Sequence, residues 1–229
     1  MRGKDGKTAP AKKRILIVDD HPMMRDGLRL LIANEPDLEV VGEADDASEA
    51  LQEIQRLKPD VAIVDITLRS SNGLDLIKDL QIRSPQTAVL VLSMHDESLY
   101  AERVLKAGGR GYIMKQEGGK RIMEGIRQVA SGHTFVSPSV SAKIIESFSG
   151  HGSDRSPVSQ LTDREFEVFR LIGEGLGTKE MAEKLRVSVK TIEVHRVNIK
   201  EKLHTQTASE LIRYAVRWVE AQGKTDRSD

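Results

Sequence analysis

The chain has 229 residues, 38% of them hydrophobic and 31% charged, which is enough for two ordinary domains with sizeable cores. Its 35 basic and 35 acidic residues cancel, which excludes a global field that would draw the protein onto nucleic acid. The absence of cysteine excludes disulfides and thiolate metal sites and favours a reducing, cytoplasmic location. No apolar run approaches the ~20 residues that a membrane span needs, so no membrane partner is expected.

The first part of the chain alternates short apolar runs with amphipathic segments. Residues 1–13 carry charge but no apolar run, and they are predicted to be a disordered basic tail. Beyond them, runs rich in Val and Ile predict strands, and apolar residues at helical spacing predict the helices between them. The predicted strands are 14–18, 38–44, 61–65, 88–93 and 111–115. The first predicted helix begins at Pro22, and the second is capped by Asp45 or Asp46 and ends at Leu57. The other three predicted helices are 74–82, 97–107 and 119–131. Five such repeats indicate an α/β domain with a flavodoxin-like, doubly wound parallel sheet.

Charged and hydroxyl side chains follow the ends of four of these strands. Asp19 and Asp20 follow the first strand, and Asp65 closes the third. Ser93 ends the fourth strand, and Lys115 ends the fifth. Ligands of open α/β sheets bind outside the carboxyl ends of the strands, so these side chains are predicted to meet at one edge. Any one aspartate alone could be a helix cap, but three together repel one another unless a cation lies among them, and Mg²⁺ suits such oxygen ligands.

After residue 131 the alternation stops and the pattern of the chain changes. Residues 132–159 are rich in Gly, Ser, Pro and charge, and they predict a linker that contains one short helix at 141–148. Residues 160–220 show no strand pattern and predict a small all-α domain of four helices. Residues 221–229 are predicted to be a second disordered tail.

The helix starts of the C-terminal domain can be located from capping residues. Two matches to the S/T-x-x-E capping box and two further N-cap residues predict the four starts: Thr162 with Glu165, Thr207 with Glu210, Thr178, and Ser188. The second and third helices, 179–185 and 189–203, are separated by a short turn, which indicates a helix-turn-helix module.

The helix at 189–203 is the candidate recognition helix. Ile192, Ile199 and Leu203 are predicted to form its buried stripe. The residues left on or near its exposed side, together with one at the start of the preceding helix, are the candidate DNA contacts: Lys190, Thr191, Glu193, Val194, Arg196, Val197, Lys200 and Lys179. The basic residues can neutralise phosphates, while Glu193 can accept a hydrogen bond from cytosine and Val194 can touch a thymine methyl group. The alternative is a helical docking domain with a solvated charged face, because acids nearly balance bases in this segment.

These motifs together resemble a known family. VDDHPMMRDGL, DITL-x4-GLD, LSMHD and AGGRGYIMK are similar to the motifs of response-regulator receiver domains, and residues 14–131 resemble such a domain. LTDREFEVFRLIGEG and KTIEVHRVNIKEKL are similar to LuxR-type helix-turn-helix domains. The pairing resembles the NarL/FixJ family of bacterial two-component transcription factors and covers most of the chain.

The resemblance implies a role for each residue of the predicted sheet edge. Asp65 would be the phosphoacceptor, and Lys115 would hold the phosphoryl group. Asp20, Asp65 and the carbonyl of Thr67 would bind Mg²⁺ with help from Asp19. Ser93 and Tyr112 would be the switch pair, although Tyr112 could also be an ordinary packed aromatic residue of its strand. In the recognition helix, Glu193, Val194 and Val197 would face the bases.

The resemblance also implies the function and partners of the protein. A sensor histidine kinase would phosphorylate Asp65, and the activated protein would form a homodimer on paired half-sites of double-stranded DNA, with RNA polymerase as a further partner. The protein would not be an enzyme beyond its own phosphoryl transfer and dephosphorylation. An aspartyl-phosphate phosphatase of haloacid-dehalogenase type needs an acid at the position of Thr67 and is disfavoured. A receiver-like DNA-binding protein that works without phosphorylation remains the alternative.

The chain departs from the family pattern at three positions. Arg69 stands where the family usually has Pro, beside the phosphorylation site. Gln116 replaces the common Asp after the lysine, and Gly109 replaces a common Ala. None of the three removes a group that the predicted chemistry needs.

Overall fold

The computed structural model of the protein describes residues 11–68, 72–148 and 157–225. The chain divides into two compact units, with the boundary between Glu146 and Ser147. Of the predicted tails, residues 1–10 and 226–229 lie outside the described ranges, whereas Lys13 lies in a strand and 221–225 are helical. None of the helices in the described ranges combines the length and apolar character that a bilayer crossing requires.

The first unit is built on one parallel sheet with strand order β2-β1-β3-β4-β5. The strands are β1 (Lys13–Val18), β2 (Leu38–Ala44), β3 (Val61–Val64), β4 (Ala88–Ser93) and β5 (Gly111–Met114). This order confirms the predicted flavodoxin-like sheet. Every side chain of β3 and β4 is buried, as continuous apolar runs require when helices cover both faces. Val64 of β3 pairs with Val18 of β1 and Val91 of β4, so the residues that follow these strands emerge at one edge.

Five helices follow the strands and cover the sheet. They are α1 (Pro22–Ala33), α2 (Ala47–Leu57), α3 (Gly73–Arg83), α4 (Glu97–Lys106) and α5 (Gly118–Ala130), and a 3₁₀ helix (Lys115–Glu117) joins β5 to α5. Asp46, one of the two predicted caps of α2, accepts a hydrogen bond from the Glu49 N–H at 2.9 Å. One face of the sheet packs against α1 and α5 in a core that includes Ile17, Ile32 and Ile126.

The segment after α5 is held against β5 before the next helix, α6 (Pro138–Phe148), begins. Phe135 is buried; its N–H donates to the Arg110 carbonyl and its own carbonyl accepts from the Tyr112 N–H, both at 2.9 Å. Val140 of α6 is also buried. The first part of the predicted linker at 132–159 therefore packs on the sheet, and its short helix begins earlier than predicted; residues 149–156 of this linker lie outside the described ranges.

The second unit is all-α in its described residues, as predicted. Its helices are α7 (Asp163–Gly173), α8 (Thr178–Lys184), α9 (Val189–Lys202) and α10 (Ala208–Thr225). Phe166 and Phe169 of α7 each lie 5.5 Å, centroid to centroid, from the ring of Trp218 on α10. Edge-to-face packing of this kind adds to the burial of the rings and joins the first helix of the unit to the last.

Three of the four predicted helix starts are confirmed. In both predicted capping boxes the threonine hydroxyl and the glutamate carboxylate satisfy each other's backbone N–H groups, at Thr162 with Glu165 and at Thr207 with Glu210. Ser188 Oγ accepts from the Thr191 N–H at 3.0 Å and caps α9. Each N-cap satisfies a donor that the helix itself leaves unpaired.

The prediction that Thr178 caps α8 is wrong. Gly177 occupies the N-cap position, and Thr178 is the first helical residue. The reason is that Glu180 lies three residues after Gly177, and its carboxylate accepts from the Gly177 N–H at 2.6 Å. The glutamate therefore supplies one of the two hydrogen bonds of a capping box, and the N-cap position does not require a side chain for it.

Gly73, at the start of α3, lies against the turn that follows Asp65, so we expect Gly73→Ala to destabilise the first unit by about 1–3 kcal/mol. The Gly73 N–H donates to the Ile66 carbonyl, and a Cβ here would lie 2.3 Å from the Asp65 carbonyl oxygen. Urea unfolding followed by circular dichroism measures the effect. Gly27 of α1 is the matched control: among the described residues, no atom beyond the adjoining backbone of its own helix lies within 4 Å of its would-be Cβ, so Gly27→Ala should stabilise by about 0.5–1 kcal/mol. Equal effects of the two substitutions would contradict this account of Gly73.

Candidate functional site

The sheet places Asp19 and Asp65 side by side at the carboxyl edge. The Asp65 N–H donates to the Val18 carbonyl, and the Asp19 N–H donates to the Ala44 carbonyl, so both residues continue the hydrogen-bond ladder of the strands. Asp19 is only 2% exposed and Asp65 only 4%. The structure thus brings two of the predicted carboxylates together in a position largely excluded from water.

Lys115 bridges these two carboxylates. Its Nζ lies 2.7 Å from Asp65 Oδ2 and 2.7 Å from Asp19 Oδ2, and its side chain is 4% exposed. Lys115 begins the 3₁₀ helix after β5, a turn in which the Glu117 carboxylate accepts from the Met114 N–H at 2.9 Å. The turn directs the lysine across the end of the sheet, from the edge strand to β3 and β1.

Burial and charge act in opposite directions on the pKa values at this edge. Burial raises the pKa of Asp65 above its ordinary value, although the Lys115 ammonium opposes this rise. Burial alone would lower the pKa of Lys115, but the charge of Asp65 and the hydrogen bonds to both aspartates outweigh it and raise that pKa. Lys115 therefore remains an ammonium, and its charge offsets the cost of keeping Asp65 ionised.

Four residues at this edge could hold a metal ion. Ligand atoms of Asp19, Asp20, His21 and Asp65 all lie within 4.8 Å of one another. Carboxylate oxygens are the donors that Mg²⁺ prefers, and an ion bound by a few carboxylates keeps positions for water and phosphate oxygens, so the acidic cluster fits Mg²⁺. Around Asp65, the Thr67 N–H donates to Oδ1 at 3.1 Å.

His21 is a member of this cluster that sequence reasoning missed. Its Nδ1 lies 3.1 Å from Asp19 Oδ1 and 2.8 Å from Asp20 Oδ1, and its N–H donates to Asp19 Oδ1 at 2.8 Å. The signal was its position directly after Asp19 and Asp20, where the turn before α1 brings it back onto both carboxylates. It links the two aspartates to each other and orients them.

Ser93 and Tyr112 meet through the main chain of His95, a second residue that sequence reasoning missed. The Tyr112 hydroxyl donates to the His95 carbonyl at 2.7 Å, and Ser93 Oγ accepts from the His95 N–H at 3.2 Å. Tyr112 is 1% exposed, and burial raises its pKa well above the ordinary value, so the phenol stays protonated and can donate. The side chain of His95 stacks on Tyr100, and its Nε2 lies 3.1 Å from Thr67 Oγ1. The β4–α4 loop thus contacts both Tyr112 and the loop that follows Asp65.

The three departures from the family pattern have different surroundings. Gln116 is exposed in the 3₁₀ helix. A Cβ at Gly109 would lie 2.5 Å from Val104 Cγ1, so alanine at this position would require Val104 to move. Arg69 lies outside the described residues.

The candidate recognition helix presents a mixed surface. Ile192, Ile199 and Leu203 are buried, which confirms the predicted stripe. Most candidate contacts are exposed, and three are half-buried: the exposed ones are Lys179, Lys190, Glu193, Val194 and Val197, and the half-buried ones are Thr191, Arg196 and Lys200. Exposed valines on a charged helix surface offer apolar contact of the kind that a thymine methyl group requires.

Two of the half-buried residues also have contacts inside the second unit. An Arg196 guanidinium nitrogen lies 3.4 Å from Thr178 Oγ1 on α8, and Thr191 Oγ1 lies 2.7 Å from Ser188 Oγ at the N-cap. Arg196 thereby contacts α8, the helix that precedes the candidate recognition helix. These contacts restrict the rotamers of both side chains.

Two acids of α7 pair with basic residues, one with a lysine of α9 and the other with an arginine of α7 itself. Lys202 Nζ lies 2.6 Å from the buried Glu165, and Arg164 lies 2.7 Å from Glu167. His195 faces the same region, and its buried Nδ1 has no hydrogen-bond partner among the described residues. Burial, together with the charge of Arg164, holds the pKa of His195 below its ordinary value, while Glu165 acts in the opposite direction.

Comparison with known proteins supports this division of the chain. Residues 15–127 match the family described as "Response regulator receiver domain", and residues 159–215 match "Bacterial regulatory proteins, luxR family". The oxygen regulatory proteins NreC of Staphylococcus haemolyticus and Staphylococcus carnosus are each 35% identical over 210 residues, which cover 89% of this chain and 97% of each relative.

Solved structures of response regulators are also similar to this chain. RcsB from Salmonella enterica serovar Typhimurium, bound to promoter P1flhDC in the presence of the phosphomimetic BeF3-, is 27% identical, with a TM-score of 0.61 over 89% of this chain and 98% of that one. A LuxR-family two-component response regulator from Aurantimonas sp. SI85-9A1 is 31% identical, with a TM-score of 0.56 over 61% of this chain and 99% of that one.

The fold, the acidic edge and these matches define a two-component response regulator with a receiver domain and a LuxR-type DNA-binding domain. It is a transcription regulator rather than a classical enzyme. The chain belongs to the NarL/FixJ family of response regulators.

We expect the second unit to lose stability as the pH falls below about 6.5, because His195 binds a proton less readily in the folded than in the unfolded state. The contribution of His195 is fully present above its unfolded pKa and is lost as the pH falls through its lowered folded pKa. His195→Gln should reduce this acid sensitivity. The fluorescence of Trp218 during thermal unfolding, measured from about pH 8 to about pH 5.5, reports on this unit.

The matched control is His204→Asn. His204 is exposed just after α9 and has φ of 53°, a conformation that asparagine tolerates. This variant should keep the pH dependence of the wild type. If His195→Gln retains that dependence as well, the acid sensitivity does not come from His195.

Proposed function

We propose that a sensor histidine kinase phosphorylates Asp65 and that this phosphorylation controls sequence-specific DNA binding by the second unit. The observation that carries the proposal is Lys115, buried between Asp65 and Asp19 at 2.7 Å from each. A buried carboxylate next to a fixed ammonium and a metal-compatible acidic cluster is suited to become an aspartyl phosphate.

In the proposed reaction, an oxygen of the Asp65 carboxylate attacks the phosphorus of a phosphohistidine. A P–O bond forms, the P–N bond breaks, and the electron pair leaves with the imidazole, which takes up a proton. The Thr67 N–H and Lys115 orient the carboxylate before the attack. Afterwards the Lys115 ammonium is positioned to hold a phosphoryl oxygen, and Ser93 supplies a hydroxyl on the neighbouring strand.

Asp19, Asp20, Asp65 and the Thr67 carbonyl would hold Mg²⁺. The ion supplies positive charge that neutralises phosphoryl oxygens during transfer. In this arrangement Asp19 has two roles, because one of its oxygens contacts Lys115 and the other contacts His21.

The proposed signal passes from Asp65 to the β4–α4 loop. Ser93 would be drawn to the phosphoryl group, and Tyr112, which contacts the same loop through His95, would be held inward with it. Such a change shifts an equilibrium between two arrangements of the loop and β5. The result would be a homodimer that engages paired half-sites, with RNA polymerase as a further partner.

For DNA binding we propose that α9 enters the major groove. Lys179, Lys190, Arg196 and Lys200 would contact phosphates, and Glu193, Val194 and Val197 would face bases, with Thr191 near the backbone. Relatives support this proposal, since the solved structures include one described as two RcsB dimers bound to two parallel DNAs, at 27% identity and a TM-score of 0.55.

Incubation with acetyl phosphate and Mg²⁺ should add the mass of one phosphoryl group to the intact protein. Asp65→Asn should gain none, and neither should the wild type without Mg²⁺, because the nucleophile or the charge that neutralises the phosphoryl oxygens is then missing. Intact-mass spectrometry gives the answer. A phosphoryl group that persists in Asp65→Asn would place the chemistry elsewhere, and no gain in the wild type would favour DNA binding controlled without phosphorylation.

The two classes of DNA contact should respond differently to substitution. Duplexes selected from a random pool by the purified protein provide the binding site. Glu193→Ala should then cost about 1–3 kcal/mol on the selected site and relax base preference at one position. Lys190→Ala should weaken binding to all duplexes alike and reduce the salt slope by about 1. Uniform weakening in both variants would remove Glu193 from the set of base-reading residues.

A further inference from the structure

The start of α6 is capped by a residue from another helix. Ser137 is the N-cap residue of α6: its Oγ accepts from the Val140 N–H at 3.3 Å, and its carbonyl accepts from the Ser141 N–H at 3.0 Å. In a capping box, the N–H of the N-cap residue is accepted by a Glu or Gln three residues later. In α6 that position is occupied by Val140, whose side chain has no hydrogen-bond acceptor.

Glu97 of α4 takes this role. Its Oε1 accepts from the Ser137 N–H at 2.6 Å, across 40 residues of sequence. Carboxylate-to-N–H bonds are charge-assisted and are stronger than bonds between neutral groups. Half of the capping arrangement of α6 is therefore supplied by the first residue of α4.

Each partner of the Glu97–Ser137 contact lies two residues from a residue that is hydrogen-bonded to Tyr112, the proposed switch residue. On one side, Glu97 lies two residues after His95, whose carbonyl accepts from the Tyr112 hydroxyl. On the other side, Ser137 lies two residues after Phe135, whose carbonyl accepts from the Tyr112 N–H. The side chain and the backbone of Tyr112 thus contact the two segments that meet at the start of α6.

Phe135, in the segment before α6, is held in place by contacts with α5 and β5. The Arg121 guanidinium lies 4.3 Å from the centroid of the Phe135 ring, and a Cβ at Gly111 would lie 2.9 Å from the Phe135 carbonyl oxygen. Only glycine at position 111 allows so close an approach without a shift. Because Phe135 holds the segment before α6 in place, displacement of the β4–α4 loop would change the distance between Glu97 and Ser137.

We propose that Glu97 is a positioning residue that couples the β4–α4 loop to the N-terminus of α6, the helix that precedes the second unit in the chain. This inference rests on the proposed phosphorylation switch. The inward Tyr112 and the Glu97–Ser137 contact occur together in the structure. Phosphorylation, which stabilises the inward position, therefore stabilises the contact and the first turn of α6.

The test is amide hydrogen exchange in the full-length protein, with and without acetyl phosphate and Mg²⁺, and with intact mass recorded on the same samples. In the wild type, the amides of Ser137, Val140 and Ser141, which donate the hydrogen bonds of this cap, should exchange about fivefold more slowly after phosphorylation, the effect expected for a strengthened helix cap. Glu97→Ala should become phosphorylated on Asp65 but should show no such slowing. Glu97→Gln retains an acceptor oxygen and should recover most of it.

Glu102→Ala is the matched control. Glu102 is an exposed acid of the same helix, paired with Lys106, and its loss should leave the wild-type response intact. Equal slowing in wild type and Glu97→Ala, or no slowing in a wild type whose mass shows phosphorylation, would overturn the coupling while leaving the proposed function in place. A wild type that gains no phosphoryl mass would overturn both, and the mass record separates the two failures.

Discussion

The ammonium of Lys115 between two buried carboxylates is the interaction on which the proposed phosphorylation site depends. Unit charges about 4 Å apart interact by about 4 kcal/mol at an effective dielectric constant of about 20, so neighbouring carboxylates excluded from water need a positive charge between them. The parallel register of β1 and β3 forces these residues together, and the turn after β5 brings the compensating charge. The site is therefore a consequence of sheet topology. The ends of β1, β3 and β5 must lie at the same edge for Asp65 to be both ionised and excluded from water.

The second unit also contains buried acids, and they change how much charge the unit presents at its surface. Glu165 and Glu167 of α7 are buried, and Lys202 of α9 and Arg164 of α7 pair with them. The near balance of acids and bases in this segment is what made a charged docking domain a reasonable alternative. Because two of those acids lie inside, they do not offset Lys179 and Lys190 at the surface to the extent that composition suggests. Charge counted along a sequence differs from charge presented to a partner.

The sequence predicted the elements well because their signals are local. Apolar runs marked every strand, and threonine–glutamate pairs marked two helix starts of the second unit. It failed where a contact joins distant residues or where backbone geometry decides. Glycine rather than Thr178 caps α8, and no local pattern ties His95 to Tyr112 or Glu97 to Ser137. His21 was within reach, since it directly follows two acids, but its return onto both depends on the turn before α1.

Tyr112, the proposed switch residue, lies on an edge strand of the sheet. In an inner strand, the backbone N–H and C=O groups of successive residues point alternately to the two neighbouring strands, so all of them are paired within the sheet and only side chains can report a change. β5 has β4 on one side only, and the Tyr112 N–H is free to pair with Phe135 of the segment leading to α6. Its hydroxyl meanwhile reaches the β4–α4 loop. In the proposed switch, one residue would then transmit movement through two kinds of contact, and the otherwise unpaired edge of the sheet would be the surface through which a signal leaves the receiver.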